Sequence, residues 1–106
     1  MKNKGKADKA ACCSHGSEQT DDAMKMFAAF LGSAMKPGAL DVVTKEYIAM
    51  ALGLAVHCVP CATLHINKAK SMGIGAQEME EAAALAVAFG GCRALMLWNE
   101  LKKELL

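Results

Sequence analysis

Two cysteines and two histidines fall within the nine residues His57-Cys58-Val59-Pro60-Cys61-Ala62-Thr63-Leu64-His65. Thiols three residues apart at a helix start can close a disulfide without unfolding the chain. The unpaired N–H groups of that first turn also favour a thiolate over a thiol. His65 lies four residues after Cys61, which places both side chains on one helix face. A neutral imidazole there can take the Cys61 proton, and an imidazolium can hold the thiolate, as in covalent catalysis by a nucleophile with an adjacent base. The bland reading is a buried histidine satisfied by its neighbours. Standing four residues beyond a C-x-x-C, His65 is better read as chemical. His57 is expected to end the preceding helix, where a cation suits the carbonyl end, with a supporting role beside the cysteines as the alternative.

These residues need a scaffold, and the chain reads as all-α. Its 106 residues suggest one domain. Hydrophobic content is 54% but aromatics are only 5%, so the filling is Ala, Leu, Val and eight Met, most of them good helix formers. Residues 1–19 are Lys-rich, polar and aperiodic, and are expected to form a disordered tail ahead of a helical domain at 20–106. Thr20 or Asp21 can cap a first helix to about Met35, with Met24, Phe27, Phe30, Leu31, Ala34 and Met35 at helical spacing. Lys36-Pro37-Gly38 breaks it. Asp41 caps a second helix from Val42 to about Val56, apolar nearly all round after Tyr47 and so expected to be buried. Pro60 falls in the first turn of a third helix that carries Cys61, Leu64, His65, Lys68 and Ala69 and stops near Gly73. A fourth begins near Gln77, Gly90-Gly91 breaks or kinks it, and Arg93 to Leu105 closes the chain. No strand signal and no repeat is present.

Glu46 is the only carboxylate between Asp41 and Glu78. On a straight helix it lies about 18 Å from Cys58. It reaches the site only if the third helix folds back along the second, and His65 then comes nearest. The alternative is a first-turn surface glutamate.

Charge excludes some functions. Twelve basic and eleven acidic residues give a net charge of +1, with no basic stripe after the tail, so nucleic acid finds no footprint. No Asp, Glu, Lys or Arg occurs from Tyr47 to Ile66, long enough to raise a membrane span. Gly53, His57, Pro60, Thr63 and His65 inside it favour two buried helices meeting at a break. The tail lacks the apolar segment of a secretory signal, and five cysteines without one suggest a reducing cytoplasm. So many apolar residues in so short a chain suggest that it assembles with copies of itself.

Together Glu46, Cys58, Cys61 and His65 read E-x11-C-x-x-C-x-x-x-H, followed by Ala69, Gly73, an acidic helix start and Gly90-Gly91. From about Ala39 onward this resembles the alkylhydroperoxidase D-like family, which includes the carboxymuconolactone decarboxylases. Decarboxylase members lack the cysteine pair, so Cys58 and Cys61 point to the redox branch. The resemblance implies an all-helical fold assembled as trimers or hexamers, without a cofactor. It also implies a thiol-dependent peroxidase in which Cys61 meets the hydroperoxide and Cys58 resolves it. His65 is then the base, Glu46 completes a proton relay with it, and a lipoyl or thioredoxin-like dithiol restores the thiols. Pro60 departs from the pattern, standing where the best-studied peroxidases carry a histidine. That departure keeps open a thiol-disulfide oxidoreductase or redox sensor that turns peroxide over slowly.

Zinc is the rival from another class, with Cys58, Cys61 and His65 as ligands and Cys12, Cys13 or His15 as a fourth; no second C-x-x-C supports it. A purely structural helical oligomer would leave the Cys61–His65 spacing to chance. Leu54, Leu64 and Phe89 are expected to line any substrate pocket, Cys92 to pack as a small hydrophobe, and Trp98 to anchor helix packing or a subunit interface.

Overall fold

A computed structural model of the chain describes residues 21–106. The expected tail, with Cys12, Cys13 and His15, lies outside the described residues. Four helices, α1 (Asp22–Met35), α2 (Val42–Ala55), α3 (Val59–Ser71) and α4 (Ala76–Leu105), account for the architecture, which is all-α.

The starts of α1 and α2 follow the same local chemistry. Asp21 Oδ1 accepts the Met24 N–H at 3.1 Å, and Asp41 Oδ1 accepts the Thr44 N–H at 2.8 Å, each satisfying one of the orphan donors of a first turn. That backbone hydrogen bond holds the Asp41 carboxyl below its usual range. Pro60 is tolerated near the start of α3 because its missing N–H has no partner within the helix there.

α2 is the centre of the bundle and packs against both α3 and α4. Its buried residues are Glu46, Met50, Gly53 and Leu54, a single stripe at helical spacing. The expectation of a helix buried all round is corrected here: Ile48 and Leu52 are on the outer surface, because among the described residues α2 packs chiefly against α3 and α4. α3 buries Ala62, Ile66 and Ala69 against it. α4 adds Met79, Ala83, Ala86, Leu97, Trp98 and Leu101. Burying a side chain such as Leu54 or Ile66 fully contributes about 1.5–3 kcal/mol. The stretch from Tyr47 to Ile66 is thus two helices joined by a break, and Trp98 is a packing anchor of the core.

α4 bends at Gly91, whose φ of 74° and ψ of −156° only glycine adopts readily. By length and composition α4 would also cross a membrane; here much of one face covers α2, and the backbone leaves helical geometry at Gly91. Across the bend, Lys102 of the second half pairs with Glu80 of the first at 3.1 Å and lies over the Trp98 ring.

α1 stands apart. It buries no residue, and Met24, Met26, Phe27 and Phe30 are exposed. Its C-terminal end is tied down by Lys45, whose ammonium donates to the Ala34 and Lys36 carbonyls.

Candidate functional site

The break between α2 and α3 is built by backbone hydrogen bonds. The His57 N–H donates to the Leu54 carbonyl at 3.1 Å and the Cys58 N–H to the Gly53 carbonyl at 2.9 Å. This double closure turns the chain out of α2 and requires a left-handed residue at its hinge. His57 takes that role with φ 60°, a conformation in which histidine is enriched over most residues with a Cβ. It does end α2, as its position suggests.

Cys58 follows as the N-cap of α3, and its Sγ accepts the Cys61 N–H at 3.2 Å. Cys58 and Cys61 are joined by a disulfide, their Cα atoms 5.2 Å apart, at the positive end of the helix. Both are part-buried. They reach this place because α3 lies almost in contact with α2. A Cβ at Gly53 would sit 3.0 Å from the Ala62 nitrogen and 3.3 Å from the Cys61 carbonyl carbon. Sequence reasoning gave Gly53 no role at the site; its helix-interior position is the signal that could have revealed the close approach.

α3 does fold back along α2, which brings His65 to Glu46. Nδ1 of His65 and Oε1 of Glu46 are 2.8 Å apart, although the residues are 19 positions apart in the chain. Glu46 is fully buried and is the one buried charged side chain among the described residues. With Glu46 as a carboxylate it has no proton to give, so Nδ1–H of His65 is the donor and Nε2 is left as the basic nitrogen. Cys61 and His65 lie on successive turns of the same helix face. Thiol pair, imidazole and carboxylate therefore form one column from the start of α3 toward its C-terminal half. Such a column can accept the proton of one thiol and return it to a leaving oxygen.

Lys68 is a further charged group that sequence reasoning placed on α3 without a role. Its Nζ lies 3.9 Å from Oε2 of Glu46, the oxygen that faces away from His65. Spacing was the available signal: Lys68 is three residues after His65, so it shares the helix face that meets Glu46.

Other expected positions lie elsewhere. Leu54 is core rather than pocket lining, and Leu64 is half-buried beside the site. Phe89 is 81% exposed, since no described element covers it. Cys92, expected to pack, is exposed for the same reason. Among the described residues no three His, Cys, Asp or Glu side chains gather in a metal-ligating group, and the further zinc ligands considered from sequence lie outside them.

Residues 21–102 match the family model of the carboxymuconolactone decarboxylase family. A carboxymuconolactone decarboxylase family protein from Legionella pneumophila, solved in its apo form, is 35% identical, with a TM-score of 0.71 over 77% of this chain and 73% of that one. A second solved structure comes from Thermotoga maritima, a family member with a suggested part in the antioxidative response. At 22% identity it shares the fold, with a TM-score of 0.74 over 93% of this chain and 81% of that one. No curated protein matches the chain.

Proposed function

The chain belongs to the carboxymuconolactone decarboxylase family, and we propose that it is a thiol-dependent peroxidase that reduces hydroperoxides through the Cys58–Cys61 pair. One observation carries this reading: a cysteine pair within disulfide-bonding reach leads along one helix face to a histidine backed by a buried carboxylate.

In the reduced protein His65 Nε2 takes the Cys61 proton while Glu46 holds Nδ1–H. The Cys61 thiolate attacks the terminal oxygen of the hydroperoxide. The O–O bond breaks, Cys61 becomes a sulfenic acid, and the departing alkoxide takes the proton from His65 to leave as an alcohol. Cys58, whose proton passes to the neutral His65, then attacks the Cys61 sulfur as thiolate, the S–O bond breaks, and the departing hydroxide takes that proton and leaves as water. The Cys58–Cys61 disulfide remains. A dithiol of the lipoyl or thioredoxin-like kind restores both thiols by exchange, and is itself oxidised to a disulfide. The exposed apolar face of α1 supports assembly with further copies of the chain; the trimer or hexamer and the cytoplasmic setting of this reading come from the family resemblance and from the cysteine usage.

Pro60 favours a second reading. It has no ionisable group beside the second cysteine, so the pair can serve disulfide exchange or redox sensing with little peroxide turnover. Reduced protein mixed with one equivalent of cumene hydroperoxide separates the two. Rapid peroxide loss with a Cys58–Cys61 disulfide, abolished in Cys61→Ser and stopped at sulfenic acid in Cys58→Ser, supports the peroxidase. Disulfide formation only against a dithiol/disulfide buffer, without peroxide loss, rejects it in favour of exchange.

A further inference from the structure

The buried carboxylate of Glu46 is asymmetric. Oε1 meets Nδ1 of His65 at 2.8 Å, whereas Oε2 is buried and has no hydrogen-bond partner. Leaving a buried acceptor unpaired is costly, and more so for a charged group. Within 4 Å of this carboxylate two positive or positively ionisable groups stand among the described residues, His65 on one oxygen and Lys68 on the other. At 3.9 Å the ammonium is in ion-pair range but beyond hydrogen-bond length, so it acts on Oε2 through charge.

The other lysines of this region are engaged elsewhere. Lys70 donates to the Leu105 carbonyl, and Lys45 to the carbonyls at the end of α1. Lys68 also sits in the last turn of α3, where an ammonium suits the carbonyl end of the helix, and its own carbonyl accepts from Ser71 Oγ. Because His65 and Lys68 project from one helix three residues apart, they hold the two oxygens of one carboxylate from the same side. Without Lys68, Oε2 can turn toward other donors or solvent, and rotation of the carboxylate moves Oε1 off Nδ1–H.

We propose that Lys68 is a positioning residue of the thiol site: its charge on Oε2 fixes the Glu46 carboxylate so that Oε1 keeps His65 in the tautomer with Nε2 free for Cys61. The proposal rests on the reading of His65 as the base for Cys61.

Its test uses iodoacetamide alkylation of Cys61 at pH 7 in full-length Cys58→Ser protein, which reads thiol activation without peroxide. Cys61 is followed by peptide mass, apart from Cys12, Cys13 and Cys92. Lys68→Met should slow alkylation about tenfold, the low end of what removing an outer partner of a metal-bound imidazole costs. Lys68→Arg should keep at least half the rate. In a Glu46→Gln background Lys68→Met should have no further effect, since it acts through that carboxylate. Lys68 has a side chain 47% exposed, so these variants are expected to fold, and melting curves check it. An unchanged rate in Lys68→Met overturns the proposal, as does an equal slowing with and without the Glu46 carboxylate. Hydroperoxide consumption is measured on the corresponding proteins with Cys58 intact. If no variant or parent consumes peroxide while the alkylation pattern holds, the peroxidase reading fails and the role of Lys68 stands.

Discussion

Gly53→Ala puts the packing of the site to a direct test. The added methyl would lie 3.0 Å from the Ala62 nitrogen, 3.2 Å from its Cα and 3.3 Å from the Cys61 carbonyl carbon. All three are backbone atoms, so no flexible side chain can swing aside. Two effects oppose each other. Alanine in a helix interior gains about 1 kcal/mol over glycine, while overpacking a tight core costs about 1–3 kcal/mol. Since the contacts fall on a helix fixed at its start by its cap and disulfide, the steric cost is expected in the upper half of that range, about 2–3 kcal/mol, for a net loss of about 1–2 kcal/mol. At about 4–8 °C per kcal/mol for a domain near this size, the melting temperature should drop by roughly 5–15 °C. Gly32→Ala is the control: it lies inside α1 with nothing within 4 Å of a new Cβ, and carries only the propensity gain. The displaced atoms belong to Cys61 and Ala62, so the equilibrium of the Cys58–Cys61 disulfide against glutathione should shift as well. Thermal melts and that titration are the assays. A Gly53→Ala protein as stable as the parent, with an unchanged disulfide equilibrium, would refute the claim that this glycine sets the position of the cysteine pair.

His57 holds a left-handed conformation that costs a residue with a Cβ about 1–2 kcal/mol. Glycine loses more chain entropy on folding, so His57→Gly should gain about 0.5–1 kcal/mol in urea unfolding; a loss above 1 kcal/mol would show that the imidazole itself holds the turn. In the reduced protein Cys58→Ala should cost about 1 kcal/mol relative to Cys58→Ser, because serine can accept the Cys61 N–H at the N-cap and alanine cannot. Equal melting curves for the two would remove the capping role. Asp41 has its carboxyl lowered from 3.8 by the Thr44 N–H, so its contribution is complete above that value and is lost as pH falls through the lower folded one. Asp41→Asn keeps a capping oxygen but does not titrate, and its melting temperature should fall less than the parent's from about pH 4 downward; parallel curves would contradict this.

Much of this organisation is legible in the sequence because it is local. Asp21 and Asp41 are caps read from residue type, Pro60 marks a helix start, and Gly90-Gly91 marks the bend. The meeting of Glu46 with His65 was legible as a condition: it needed α3 to fold back, and a break of a few residues between apolar helices makes that return. Exposure was harder to read. Phe89, Cys92 and Leu52 are apolar and lie at helical spacing, yet the described fold leaves them uncovered. A periodic pattern says that a face is apolar, but not whether the same chain supplies its cover. Gly53 and Lys68 were missed for a related reason, since each draws its meaning from an atom on another helix.

Pro60 connects the local chemistry of the cysteine pair to the longer column behind it. As the second residue of α3 it has no N–H, so within the first turn the Cys58 sulfur takes its hydrogen bond from Cys61. It also supplies no ionisable side chain between the two thiols. Cys58 thus owes its anionic stabilisation to the helix start, which works without moving a proton. Cys61 has no such cap in the described contacts and depends for proton removal on the turn that follows, at His65. A pair divided in this way has one sulfur that the helix start suits to attack as a thiolate and another suited to be activated by a base. That division matches the proposed order of events, with Cys61 attacking oxygen and Cys58 attacking sulfur. It also puts the whole proton traffic of the site on His65 and on the carboxylate that Lys68 steadies.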